Sequence, residues 1–217
     1  MGNWSESALL RVADRSSDAR IVKAPIQRNT HEENAQIKKG EMVMQWSDAQ
    51  RAQKVAQACW TSKDCKNWYG YTLHISADRR LGLIRRHSVS TAHVHDSQHL
   101  EALLDPSNTG RSVWADSAYA KRERSAKADL EQKSYRACIV HKAKRGKLLR
   151  SAMQRRSRRL SRERASVEHV LARLAHYGGK YVRCIGLERA NVVIGLKVVI
   201  ENLMCLARLH QRAIVSV

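Results

Sequence analysis

Apolar and polar positions along this chain alternate between strand-like and helical spacing up to about residue 140, and the spacing is helical from Ser161. Asp18-Ala-Arg-Ile-Val22 reads as a short strand, halted by Pro25. Residues 27–66 are polar and mixed in charge, and predict a long exposed insertion with some helix around Ser47 to Ala58. Strand composition returns at Tyr69–Ile75 and again at Leu81–Val89, and the polar turn at Asp78-Arg-Arg80 between them predicts an antiparallel hairpin. Asp96 stands where an N-cap would open a short helix through Leu104, with Leu100, Leu103 and Leu104 on one face and Pro106 to end it. Arg111–Asp116 and Tyr135–Val140 predict two more strands, separated by a charged helix from about Ala120 to Lys133. From Ser161 the period is helical: Val167, Val170, Leu171 and Leu174 recur at i, i+3, i+4 and i+7, and Gly178-Gly179 stops the run. A last helix, about Ala190 to Leu209, is apolar on most sides, which predicts burial. This order of elements belongs to an α/β fold, a mixed sheet flanked by helices.

Composition adds a constraint on the core and a strong charge signal. Hydrophobic residues make up 43% of the chain and Phe is absent, so the core must be built from Val, Ile, Leu, Ala and a few Trp and Tyr. Lys and Arg number 40 against 20 acids, a net charge of +20. A chain this basic repels itself unless an anion shares the charge, and nucleic acid is the usual one, because each neutralised phosphate releases a counterion. A membrane partner is excluded by pattern. The most apolar run, Val192–Leu209, is interrupted by Lys197, Glu201, Asn202 and Arg208, and falls short of the roughly 20 apolar residues that a span requires. Met1–Leu10 shows no signal peptide. The cysteines (Cys59, Cys65, Cys138, Cys184, Cys205) are odd in number and form no Cys-x-x-Cys, which reads as free thiols in a reducing cytosol. The expected location is cytoplasmic, associated with the nucleoid.

The charge is concentrated. Between Lys121 and Arg164 there are 17 basic residues and 4 acidic ones, too lopsided for an ordinary solvated face. Arg155, Arg156, Arg158, Arg159 and Arg164 are the candidate DNA-backbone contacts, immediately before or at the start of the Val167 helix. Such contacts position a duplex without reading its sequence. His87, His93, His95 and His99 invite a zinc reading, but no paired cysteines accompany them, and the loop reads better as a lead into the helix capped by Asp96. Trp46, Trp60, Trp68 and Trp114 could stack on an extruded base, with packing the plainer role for each.

Two acids end or sit within apolar strands: Asp18 precedes Ala-Arg-Ile-Val and Asp116 follows Ser-Val-Trp-Ala. Glu168 sits on the predicted helix beside its apolar face. Ligand groups of open α/β sheets gather at strand ends. Three carboxylates so far apart in the chain meet only through the fold. If they do, they suit Mg²⁺ or Mn²⁺, which prefer carboxylate oxygens, and two such ions can activate a water or a 3′-hydroxyl and stabilise a leaving oxygen. Each acid alone reads equally as a turn residue, a cap, or, for Glu168 beside Arg164, an i,i+4 ion pair.

An ordered set of segments resembles the DDE transposases of the bacterial insertion sequence five and four groups. It comprises Asp18-Ala-Arg-Ile-Val-Lys-Ala-Pro-Ile-Gln-Arg-Asn-Thr30, Tyr69–Asp78, Ser90–Gln98, Val113-Trp-Ala-Asp-Ser-Ala-Tyr119, Arg164-Ala-Ser-Val-Glu-His-Val170, Tyr181–Leu187 and the helix carrying Glu201-Asn-Leu203. The resemblance implies an RNase H-like fold over about residues 16–217, with a polar insertion at about 27–66. It implies Asp18, Asp116 and Glu168 as catalytic metal ligands, and Mg²⁺ or Mn²⁺ as the cofactor. The implied reaction is strand cleavage and transfer on double-stranded DNA at element ends, by a homodimer on that DNA. Arg164 or Arg173 would be the basic residue that accompanies the family's glutamate. Family members carry a helical region ahead of the first aspartate, whereas 17 residues precede Asp18 here, and Ser16 and Ser17 stand where an apolar half-strand is expected. Both features imply a truncated copy, with residues 1–15 as a remnant. Two other readings stay open beside this one: a catalytically inactive, basic DNA-binding remnant, and a ribosomal-type RNA-binding protein.

Overall fold

A computed structural model describes residues 15–215 other than 40, 42, 44, 55, 56, 64, 93, 95, 105–109, 117–132, 134 and 141–149. Its elements are β1 (Arg15–Lys23), α1 (His31–Lys39), α2 (Asp48–Gln53), β2 (Cys59–Lys63), β3 (Lys66–Asp78), β4 (Ile84–Thr91), β5 (Ser112–Ala115), β6 (Arg136–Ile139), α3 (Ser151–Leu174) and α4 (Leu187–Val215).

The strands form one mixed sheet. β3 pairs antiparallel with β1 along one edge, and with β4 and then β2 along the other. β1, β5 and β6 run parallel. Asp78 fixes the β3–β4 turn: its carboxylate accepts the backbone N–H groups of Arg80 and Leu81, each at 2.8 Å. This is the hairpin predicted from the sequence, and three antiparallel strands continued by parallel ones, with helices packed against them, is the RNase H-like arrangement.

β3 alternates between two buried environments. Tyr71, Leu73, Ile75 and Ala77 enter the main core with Val167, Val170, Leu171 and Leu174 of α3 and Ala190, Ile194 and Val198 of α4. The opposite face carries Thr72, His74 and Ser76, also buried. There His74 Nε2 lies 2.8 Å from Ser90 Oγ, and the ring stacks on His99 at 4.4 Å. Each apolar side chain that α3 buries contributes roughly 1.5–3 kcal/mol, so its four-residue stripe is what fixes the helix on the sheet. Gly70 marks the closest approach of β3 to β1: a Cβ there would stand 2.1 Å from the Val22 carbonyl oxygen.

The structure corrects several expectations. β1 begins at Arg15, and Ser16 and Ser17 are fully buried strand residues, so polar composition hid the strand's first half. The insertion is not merely exposed. Ile37, Val43, Trp46 and Cys59 form a small core of their own, and its end supplies β2 and the start of β3. The helix after Asp96 is two short 3₁₀ turns, Asp96–His99 and Glu101–Leu103, with Leu100 and Leu103 buried. α3 starts at Ser151 rather than Ser161, so Arg155–Arg159 form its exposed first half instead of a segment ahead of it. α4 is not buried all round: Val192, Leu196, Val199, Leu203 and Leu206, spaced 4-3-4-3, face outward. The expected helix at about 120–133, except for Lys133, lies outside the described residues, as do Pro106, His93 and His95. No helix among the described residues is long and apolar enough to cross a membrane.

Candidate active site

β5 pairs with β1 only at Arg15↔Val113 and Ser16↔Trp114. Carrying that register on by two residues sets Asp18 opposite Asp116, on neighbouring parallel strands that run about 4.8 Å apart. β5 ends at Ala115, so beyond this point the β1 edge opens, until Lys23 bridges to Tyr181. The opening is the crevice expected at the carboxyl ends of parallel strands. α3 crosses it, held to β1 by the Arg20 guanidinium, which donates to the Leu171 carbonyl at 2.8 Å. The result is a cleft of about 600 Å³ whose walls include Asp18, Asp116 and Glu168.

Arg164 lies inside the same cleft. One of its nitrogens is 3.3 Å from Asp18 Oδ2, and another is 2.6 Å from Glu168 Oε1. The i,i+4 spacing on α3 puts Arg164 and Glu168 on one helix face. Asp18 also accepts the Ala19 N–H at 2.9 Å. Burial raises the Asp18 carboxyl above its ordinary range. Arg164 and the Ala19 N–H oppose the rise, while the Asp116 and Glu168 charges add to it. Asp18 therefore feels both other acids, and its side chain is 18% exposed against 52% for Glu168.

Among the described residues, no three His, Cys, Asp or Glu side chains are gathered closely enough to hold a metal ion. The donor chemistry nevertheless fits a hard divalent cation: the acids offer only oxygen, and two of them touch the guanidinium of Arg164. Arg173, the other basic residue considered for the glutamate helix, is turned away and binds the buried Glu201 at 2.6 Å. Arg155, Arg156, Arg158 and Arg159 are exposed on α3 but do not line the cleft. Trp114 is packed with Cys138 and Leu160 and is core. Trp68 is the tryptophan in the cleft, together with Lys23, Lys63 and Lys180. Sequence reasoning did not single out these lysines. They come from three separate segments, and only the strand register brings them together.

A family model described as "Transposase DDE domain" matches residues 18–203. Over 153 residues the chain is 29% identical to a protein of Neisseria meningitidis serogroup B, the "Transposase for insertion sequence element IS1106". The match covers 70% of this chain and 52% of that protein, so the chain spans about half the length of its curated relative. No solved structure matches the chain.

Proposed function

The chain belongs to the transposase DDE domain family, and we propose from this that it is the catalytic part of an insertion-sequence transposase, acting on double-stranded DNA through Asp18, Asp116 and Glu168. The observation that carries the reading is the β1–β5 register, which sets Asp18 opposite Asp116 in a cleft that Glu168 enters from α3. In this reading residues 16–217 form the catalytic domain, with 27–66 inserted into it.

The three acids would hold Mg²⁺ or Mn²⁺. Bound there, such ions supply activation of a water or a 3′-hydroxyl and stabilisation of the leaving oxygen. The chain's own residues do the rest. Asp18 sits within β1 and Asp116 directly follows β5, the parallel strand paired with it, so the sheet carries both acids to the same cleft. Arg164 offsets part of the charge of Asp18 and Glu168, a role that a bound divalent ion would take over. Arg155, Arg156, Arg158 and Arg159 offer duplex phosphates an exposed row along α3. The homodimer that would pair two element ends belongs to the same proposal.

Calorimetry with Mn²⁺ tests it. Wild type is expected to bind in the micromolar-to-millimolar range, and Asp116→Asn to lose that binding together with metal-dependent nicking while retaining DNA affinity. The pairing of Arg164 with two of the acids favours one second reading, a DNA-binding remnant without activity. An absence of both Mn²⁺ binding and nicking in the wild type would decide for it.

A further inference from the structure

The lining of the cleft joins the three acids and Arg164 to a second set of charges, Lys23, Lys63 and Lys180, with Trp68 among them. Two of the lysines are fixed by backbone: Lys23 N–H donates to the Lys180 carbonyl and Val182 N–H to the Lys23 carbonyl, both at 2.9 Å. The Lys23 ammonium rests over the Trp68 ring, 4.2 Å from its centroid, which holds it at the cleft wall. Lys63 comes from β2, whose residues Ser62 and Thr61 pair with Asn67 and Trp68 of β3, so Trp68 and Lys63 are set by one hairpin.

We propose that Lys23, Lys63, Lys180 and Trp68 form a phosphate clamp for the DNA strand that enters the acid site. The inference deepens the transposase reading above and rests on it. Lys23 is five residues along β1 from Asp18, roughly 17 Å at strand rise. The clamp therefore takes phosphates a few nucleotides along the strand from the one facing the acids. The strand would follow the open edge of β1, with α3 as its roof. This site is separate from the exposed arginine row on the first half of α3. The acids repel a phosphate backbone and the clamp draws it in, so a strand that reaches the acids would be held at the lysines.

Fluorescence anisotropy with a labelled duplex carrying a short single-stranded tail, at several salt concentrations, tests the clamp. The lysines are exposed, so the K23Q/K63Q/K180Q variant is expected to unfold at the wild-type temperature. The slope of log affinity against log salt is expected to fall in magnitude by about 2–3, at 0.7–0.9 per lost contact. Trp68→Leu keeps every charge and is expected to weaken binding several-fold at constant slope; unchanged affinity would remove Trp68 from the clamp. An unchanged slope in the triple variant overturns the proposal even where the wild type binds Mn²⁺. A reduced slope supports it even where Mn²⁺ binding, and with it the catalytic reading, fails. Tighter binding of structured RNA than of DNA at matched salt would overturn DNA as the ligand.

Discussion

Arg164 acts on the acid site as a resident counter-cation. It touches Asp18 and Glu168 but is covalently part of α3, so a divalent ion entering the cleft has to compete with it. Arg164→Gln is therefore expected to bind Mn²⁺ several-fold more tightly than wild type, on the order of 1 kcal/mol for the removed ion pairs. Weaker binding in calorimetry would mean instead that the guanidinium holds the carboxylates in place for the metal. His74 makes a different prediction at the same scale. Burial, helped by His99, pushes its pKa down to about 3, so the folded protein keeps the ring neutral while the unfolded chain takes up a proton below about pH 6.5. The sign follows. This stabilisation is complete above the unfolded value and is lost as pH falls toward the folded one, at up to about 1.4 kcal/mol per pH unit. His87, lowered by burial as well, acts in the same direction. The urea midpoint is expected to drop between pH 7 and pH 5, and His74→Gln to flatten that dependence. Equal midpoints for the wild type at the two pH values would contradict it.

At the level of elements, legibility in the sequence tracked how one-sided each element's environment is. The β3–β4 hairpin, β5 and β6 show plain strand composition and lie where that composition predicts. The second half of α3 shows its period because Val167, Val170, Leu171 and Leu174 all meet one core. Its first half shows none, since among residues 151–163 Leu160 alone is buried and the rest answer to solvent. β1 was half legible: Ser16 and Ser17 are buried in a strand whose neighbours are already hydrogen-bonded to it, a setting that apolar patterning does not encode. The insertion's small core rests on four residues scattered from Ile37 to Cys59, too sparse for a period to emerge. Each acid was visible in the sequence only as one Asp or Glu among many, and the resemblance selected three of them. What the fold adds is the pairing of β1 with β5, which brings Asp18 and Asp116 to one cleft. Arg164 is legible from its i,i+4 spacing to Glu168, whereas Lys63 and Lys180 carry no local signal, because their positions come from a hairpin and a two-bond bridge.

The molecule as a whole joins a charge of +20 to one uncharged stretch of surface. Along α4, the two charged side chains between Arg189 and Arg208 both turn inward. Lys197 donates to the Gly178 and Tyr181 carbonyls, and Glu201 is buried against Arg173 and Arg208. Outward there remain Val192, Leu196, Val199, Leu203 and Leu206, with Ile200 and Met204 beside them. In colloidal terms the particle is a charged sphere with one adhesive stripe, and salt acts on the two features in opposite directions. At 0.01 M, with a Debye length near 30 Å, mutual repulsion keeps copies apart; at 1 M it shrinks to about 3 Å and the stripe is left unopposed. Sedimentation of the chain alone is therefore expected to show association increasing with sodium chloride over the range in which the proposed DNA contacts weaken, and association that fell with salt would contradict this. The useful ionic strength for handling this protein is then a window, bounded below by indiscriminate capture of polyanions and above by self-adhesion.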